Sequence, residues 1–364
     1  MSAHGPMPRS AWIFPLLAFV LFFAAGAFGL SYTPSVAGLG FAAAVLILLF
    51  GTVFAAVHHA EVIARRTGEP YGTLVLSMAV TIIEVAVIAS IMLGEVEAPA
   101  LARDTVFAVI MIVCNGLVGV CILAGGLRYR EQDFRTSGAG IYLSVLIVLA
   151  TITLVLPNYT LAEPGPVYSV GQLEFVSGMT ILLYLVFLYT QTMRHRNYFT
   201  FGEEEDEKAG VISGRMLWLS VALLLLSLFA VVLLAKKFSV VIDAAVAAAG
   251  VPPAVSGIVV AFLVLLPESL AAIAAARRNQ LQRSINLALG STLATIGLTI
   301  PAISATVIVL GKQLVLGLSP REMVLLVMTI VVSMLTFGTG RTNILSGLVH
   351  LVMFAVFLFT AFVP

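Results

Sequence analysis

Apolar stretches of about 20 residues, the length that crosses a bilayer's hydrocarbon as an α-helix, recur eleven times along the chain. They lie near 11–30, 34–57, 71–94, 104–127, 138–156, 172–192, 214–235, 253–276, 284–310, 321–337 and 342–363. The pattern predicts an all-α integral membrane protein of about 11 transmembrane helices. The first stretch holds a small-x-small site, Ala25-Gly26-Ala27, but it is long and only Arg9 precedes it, which reads as a retained helix rather than a cleaved signal. Composition agrees with the pattern: 60% hydrophobic and 10% charged residues over 364 positions exclude a water-soluble domain.

The intervening polar segments set an orientation, because basic loops stay on the cytoplasmic side. Fourteen Lys and Arg fall on the N-terminal side (Arg9, Arg65, Arg66, Arg128, Arg130, Arg135, Arg194, Arg196, Lys208, Arg215, Arg277, Arg278, Arg283, Arg341). Five fall opposite: Arg103, Lys236, Lys237, Lys312 and Arg321. This expects a cytoplasmic N-terminus, a C-terminus at Pro364 outside, and residence in the cell inner (plasma) membrane. The net charge of +1 carries no basic stripe with interleaved aromatics, so no nucleic-acid partner is expected.

A repeat organises the stretches. Glu61-(x6)-Gly68-x-Pro70 after the second helix matches Asp243-(x6)-Gly250-x-Pro252 after the seventh. Each is followed by an apolar helix with one glutamate, Glu84 and Glu268. Ser177-Gly178 leading to Val186-Phe187-Leu188-Tyr189-Thr190 matches Ser346-Gly347 leading to Val356-Phe357-Leu358-Phe359-Thr360. Helices 2–6 and 7–11 therefore read as duplicates. Five is odd, so the second copy enters the membrane from the opposite side and the repeats are inverted, as in many secondary transporters. The expected organisation is an extra N-terminal helix (1–33), a first five-helix repeat (34–192), an acidic cytoplasmic linker (193–213) containing Glu203-Glu204-Glu205-Asp206-Glu207, and a second repeat (214–364).

Glu84 and Glu268 carry the candidate chemistry. A charge at the centre of a membrane helix costs on the order of 3 kcal/mol on insertion scales, so each is a functional hypothesis by default. A pseudo-two-fold axis in the membrane plane would bring the two face to face. Two facing carboxylates in a low-dielectric site cannot both stay ionised and empty; they must hold protons or a cation. That exclusivity is the basis of exchange. Calcium takes six to eight oxygen ligands, and Thr81, Asn115, Gly116, Gly290, Ser291, Thr292 and Thr295 stand on the helices that could complete a set. For each small residue, helix packing is an equal reading. The glutamate helices are expected to be interrupted or crossed near the midplane, an interruption such as Pro267 freeing backbone carbonyls. Glu61 and Asp243 fall in short segments before the glutamate helices, as cation-gathering entrances or as interfacial helix ends.

The remaining polar residues are blander. Cys114 and Cys121 form neither a disulfide framework nor a metal motif. Of five histidines (His4, His58, His59, His195, His350), His350 alone reads as intramembrane, with a packing hydrogen bond favoured over a proton relay.

The run His59-Ala60-Glu61-Val62-Ile63-Ala64, then Gly68-Glu69-Pro70-Tyr71-Gly72-Thr73 and Thr81-Ile82-Ile83-Glu84-Val85, resembles the bacterial ChaA-type members of the cation/proton exchanger family, in the calcium/cation antiporter superfamily. So do Pro267-Glu268-Ser269, Ala274-Ala275-Ala276-Arg277-Arg278-Asn279 and Asn286-Leu287-Ala288-Leu289-Gly290-Ser291-Thr292. The resemblance spans essentially 34–363. It implies a secondary active antiporter, without cofactor, in which Glu84 and Glu268 bind Ca2+ or protons as the metal ligands of the transport site. One departure matters: the wider family often has asparagine three residues before each glutamate, where this chain has Thr81 and Leu265. It keeps Na+(K+)/H+ exchange beside Ca2+/H+ exchange. A cation channel is a more distant alternative that lacks symmetric rings here. No HExxH or GxSxG motif suggests an enzyme, and nothing in the pattern specifies an oligomeric state.

Overall fold

A computed structural model describes residues 7–33, 35–68, 71–94, 98–199 and 213–363. Among them are eleven helices long and apolar enough to cross a membrane: α1 (Ser10–Ala27), α2 (Val36–Thr67), α3 (Tyr71–Met92), α4 (Leu101–Tyr129), α5 (Thr136–Tyr159), α6 (Val170–Arg194), α7 (Gly214–Ala249), α8 (Ala254–Ala276), α9 (Leu281–Leu310), α10 (Pro320–Gly338) and α11 (Ile344–Phe362). In lipid a helix satisfies its own backbone polar groups, which is why apolar stretches take this form. The acidic run Glu203–Glu207 and Pro70 lie outside the described residues.

The repeated Gly68 and Gly250 have a local physical cause. They cap α2 and α7 at φ of 68° and 63°, a left-handed region where a side chain is strained, and each stops its helix. Serine opens both helices: Ser35 Oγ accepts from the Gly38 N–H at 3.1 Å, and Ser213 Oγ from the Met216 N–H at 3.3 Å.

These two helices correct the expected boundaries. At 32 and 36 residues they run about 48 and 54 Å at a rise of 1.5 Å per residue, well beyond a hydrocarbon core of about 30 Å. Glu61 and Asp243 therefore sit in the last turns of continuous helices, not in separate short segments. Lys236 and Lys237 likewise lie within α7 rather than in a loop.

Of the interruption or crossing expected of the glutamate helices, the interruption is absent: α3 and α8 are unbroken. Irregular backbone does fall on the next helix of each repeat, a π-turn at Ile112–Leu117 in α4 and another at Thr295–Thr299 in α9, with further π-turns closing α5 at Thr151–Val155 and α6 at Thr190–Arg194. The turns in α4 and α9 each carry a glycine against a ring. A Cβ on Gly116 would lie 3.2 Å from the Phe354 ring, and one on Gly297 would lie 2.7 Å from Tyr184 Cβ. Tyr184 and Phe354 occupy matching positions in the repeats, so the duplication extends to packing.

The chain divides into two compact units, Met1–Ala98 with Glu204–Gly250, and Pro99–Glu203 with Val251–Pro364. Each draws on both sequence halves, so the repeats interleave. In the first unit α2 packs against α1, α3 and α7. The extra helix is tied in by His59 Nε2, 3.0 Å from the Ala11 carbonyl.

In the second unit α8 packs along α4 and α9, while α11 covers the α4 π-turn as α6 covers that of α9. Two short antiparallel pairings close its ends. Strand β1 (Glu131–Asp133) pairs with β2 (Arg341–Asn343), and Val167 bridges Val315. The loop after α4 meets the loop after α10 in the first; the loop after α9 meets the loop after α5 in the second. That exchange of roles at opposite ends of α5 is what an inverted repeat requires.

Candidate cation site

Glu84 and Glu268 belong to different units, and each is set by its own helix. Glu84 is the sole charge in α3, is fully buried, and has buried Thr81 one turn before it. An ionised carboxylate there is tolerable only with a compensating proton or cation. Glu268 is the sole charge in α8, follows Pro267 and is half-buried. Pro267 cannot donate a backbone hydrogen bond, which leaves a carbonyl one turn earlier without its usual partner. Leu265, three residues before Glu268 as Thr81 is before Glu84, is buried and its side chain offers no oxygen.

Close backbone packing positions α8. A Cβ on Gly257 would come within 2.8 Å of the Asp104 and Thr105 backbone, so α8 and α4 touch with nothing between them. At its other end, Gln132 Nε2 donates to the Ala276 carbonyl at 3.1 Å and to Asn279 Oδ1 at 3.0 Å. Asn279 has φ of 62°, a left-handed turn that asparagine accepts more readily than most residues. The sheet β1–β2 thus brings a buried amide to the end of the Glu268 helix.

The other sequence candidates divide. Thr295 is buried in the α9 π-turn, with Gly290 and Ser291 half-buried before it. The space at Gly290 is bounded by the Tyr142 hydroxyl, 3.7 Å from where a Cβ would stand. Thr292 spends its hydroxyl on its own helix, donating to the Ala288 carbonyl at 3.2 Å. Gly116 packs on Phe354. Asn115 is fully buried, and its Nδ2 donates to Thr329 Oγ1 at 2.8 Å. Its Oδ1 lies 3.4 Å from His350 Nδ1, while His350 Nε2 lies 3.0 Å from Thr336 Oγ1. His350 is therefore held by hydrogen bonds within the membrane, as its sequence context suggested.

Glu61 shares the end of α2 with His58 and Arg65, which act electrostatically on one another. Asp243 lies by the end of α3, its Oδ2 3.7 Å from where a Cβ on Gly94 would stand. Cys114 and Cys121 are buried and free. Among the described residues no group of three or more His, Cys, Asp or Glu is arranged to hold a metal. A cation here would need backbone, hydroxyl or amide oxygens besides carboxylates.

Asp104 was not anticipated. It is nine-tenths buried, 2.7 Å from Arg103 Nη2, and lines with Arg321 and Glu322 a cavity of about 20 Å3, room for one water. The adjacent Arg103-Asp104 pair at the start of an apolar helix was the available signal. Thr329 and Thr336, seven apart and both buried, were another: that spacing puts two hydroxyls on one helix face.

The family model for "sodium/calcium exchanger protein" matches residues 36–193 and 219–363, one stretch for each repeat. The protein y4hA of Sinorhizobium fredii is 46% identical over 365 residues, covering 100% of this chain and 98% of its own. The sodium-potassium/proton antiporter ChaA of Escherichia coli is 39% identical over 363 residues, covering 97% and 96%. The solved structure of native YfkE superposes with a TM-score of 0.74 at 17% identity over 97% of this chain and all of that one, a likeness of fold. Matched in both repeats and along its full length, this chain belongs to the sodium/calcium exchanger protein family.

Proposed function

We propose that the chain is a secondary active cation/proton antiporter in which Glu84 and Glu268 bind either cation or protons and alternate access to the two sides of the membrane. The observation that carries this reading is the pair of repeat-equivalent glutamates, each the single charge of its transmembrane helix. A divalent ion neutralises two carboxylates and so do two protons; an empty, doubly charged site resists the movement that alternating access needs. Each half-cycle therefore proceeds only with cargo. The protein works without a cofactor and is no enzyme, since no bond is made or broken.

Ca2+/H+ exchange is the first assignment, because paired carboxylates match a divalent charge. Na+(K+)/H+ exchange is the second. Two observations favour it: Leu265 withholds an oxygen beside Glu268, and the relative ChaA, 39% identical, is a sodium-potassium/proton antiporter. The fourteen-to-five distribution of basic residues supports a plasma (inner) membrane protein with its N-terminus in the cytoplasm. Purified protein in liposomes, given an imposed pH gradient and Ca2+, Na+ or K+ separately, tests the assignment. Accumulation of one cation that collapses with the gradient is expected. Cation flux indifferent to the gradient would indicate a channel instead.

A further inference from the structure

One buried titratable group, His350, stands outside the exchange mechanism. It is fully buried on α11, and its imidazole reaches three neighbours. Nδ1 faces Asn115 Oδ1 at 3.4 Å, Nε2 faces Thr336 Oγ1 at 3.0 Å, and the backbone of Cys114 also interacts with the ring. Asn115 Nδ2 is spent on Thr329 Oγ1, so its Oδ1 faces the ring; an amide oxygen cannot donate, so Nδ1 carries the hydrogen. The Thr336 hydroxyl then donates to Nε2. A neutral ring satisfies every one of these groups.

The bridge has structural consequences. Cys114 and Asn115 lie inside the α4 π-turn, where the widened spacing disturbs the usual backbone ladder. The ring ties that turn to α10, and Asn115 is held at both ends of its amide, by His350 on one side and by Thr329 on the other. Beside it, Gly116 and Gly119 bring α11 against α4: a Cβ on Gly116 would meet the Phe354 ring at 3.2 Å, and one on Gly119 the Leu351 side chain at 2.9 Å. The matching place in the other repeat lacks the bridge. Counted back from the matched Val186-Phe187-Leu188 and Val356-Phe357-Leu358, Thr180 falls in the place of His350, and its hydroxyl donates to the Ser177 carbonyl of its own helix at 2.9 Å. The duplicated scaffold is thus cross-linked by polar groups at one π-turn, and at its counterpart that position bonds within its own helix.

We propose that His350 is a positioning residue for exchange, fixing the Asn115 amide and the α4 π-turn through a neutral imidazole, without carrying a proton or touching the cation. The inference rests on the antiport reading. It assigns a function to a one-sided feature of an otherwise repeated fold.

Gradient-driven cation uptake in liposomes tests it with His350→Asn, which keeps a donor near the Nδ1 position and cannot titrate, His350→Leu, Asn115→Ala, and the His350→Leu/Asn115→Ala pair. His350→Asn should keep a maximal rate within about threefold of wild type, with an unmoved pH profile. His350→Leu and Asn115→Ala should each lose about tenfold or more, and the pair should be no slower than the slower single variant, as for two residues acting through one contact. The proposal is overturned if His350→Asn is as slow as His350→Leu, if its pH profile moves, if His350→Leu runs at the wild-type rate, or if the losses multiply in the pair. Should His350→Leu fail to assemble, the rate and pH profile of His350→Asn decide alone. Glu84→Gln is measured alongside: rapid exchange there undoes the carboxylate reading, whereas failure of the His350 variants undoes only the positioning role.

Discussion

Replacing either glutamate with glutamine should abolish exchange and leave the fold intact. Glu84 is the only charge among the 22 residues of α3, and Glu268 the only one among the 23 of α8. The amide keeps the carboxylate's shape and removes its charge and its titration. A unit charge pair about 4 Å apart at an effective dielectric near 20 is worth about 4 kcal/mol. At about 1.36 kcal/mol per decade that is roughly three orders of magnitude in binding or rate. The same change relieves a charge whose place in a membrane helix costs about 3 kcal/mol, so thermal stability should hold or rise. The assay is uptake of Ca2+, Na+ or K+ into liposomes against an imposed pH gradient, paired with melting of the purified variants. Loss of about a hundredfold or more, with an unchanged or higher Tm, is expected. Exchange above about a tenth of the wild-type rate in either variant would refute the paired-carboxylate mechanism.

Three further outcomes follow from the same structure. Protons and cations compete for the two carboxylates, so apparent cation affinity should weaken steadily as pH falls from about 9 to 5, and a flat profile with full transport would mean that protons take another route. Gly297→Ala should cost about 1–3 kcal/mol in a melt, because its Cβ would sit 2.7 Å from Tyr184 Cβ; Gly116→Ala should cost less, its obstacle being the Phe354 ring at 3.2 Å, and the opposite order would contradict the packing. Gln132→Leu strips the Ala276 carbonyl and Asn279 of a buried donor and should destabilise by about 1–3 kcal/mol, with faster amide exchange confined to the turn after α8; exchange unchanged in that turn would show that the clamp does nothing.

Much of this was legible in the sequence for identifiable reasons. A glutamate inside an uninterrupted apolar stretch is conspicuous, and Gly68 and Gly250 announce themselves because a positive φ at the end of a helix favours glycine whatever surrounds it. The true ends of α2 and α7 were hidden. Hydrophobicity stops marking a helix once it leaves the membrane, although alanine-rich and charged turns continue it through Glu61 and Asp243. The π-turns of α4 and α9 were hidden for a different reason: they coincide with the contacts of Gly116 with Phe354 and Gly297 with Tyr184, between residues far apart in the chain. The same holds for Asn115 and His350, 235 positions apart, whose pairing no local spacing could disclose.

The claim that protons and cations share the same carboxylates is tested most directly by counting protons as a cation binds. Purified protein in weakly buffered detergent solution, titrated with Ca2+, Na+ or K+ at several values between about pH 6 and 9, should release protons on binding at one or more of them, up to about two for each divalent ion bound. The release should vanish in the Glu84→Gln/Glu268→Gln pair. Cation binding without proton release at every pH, or release that persists in the double variant, would contradict the account.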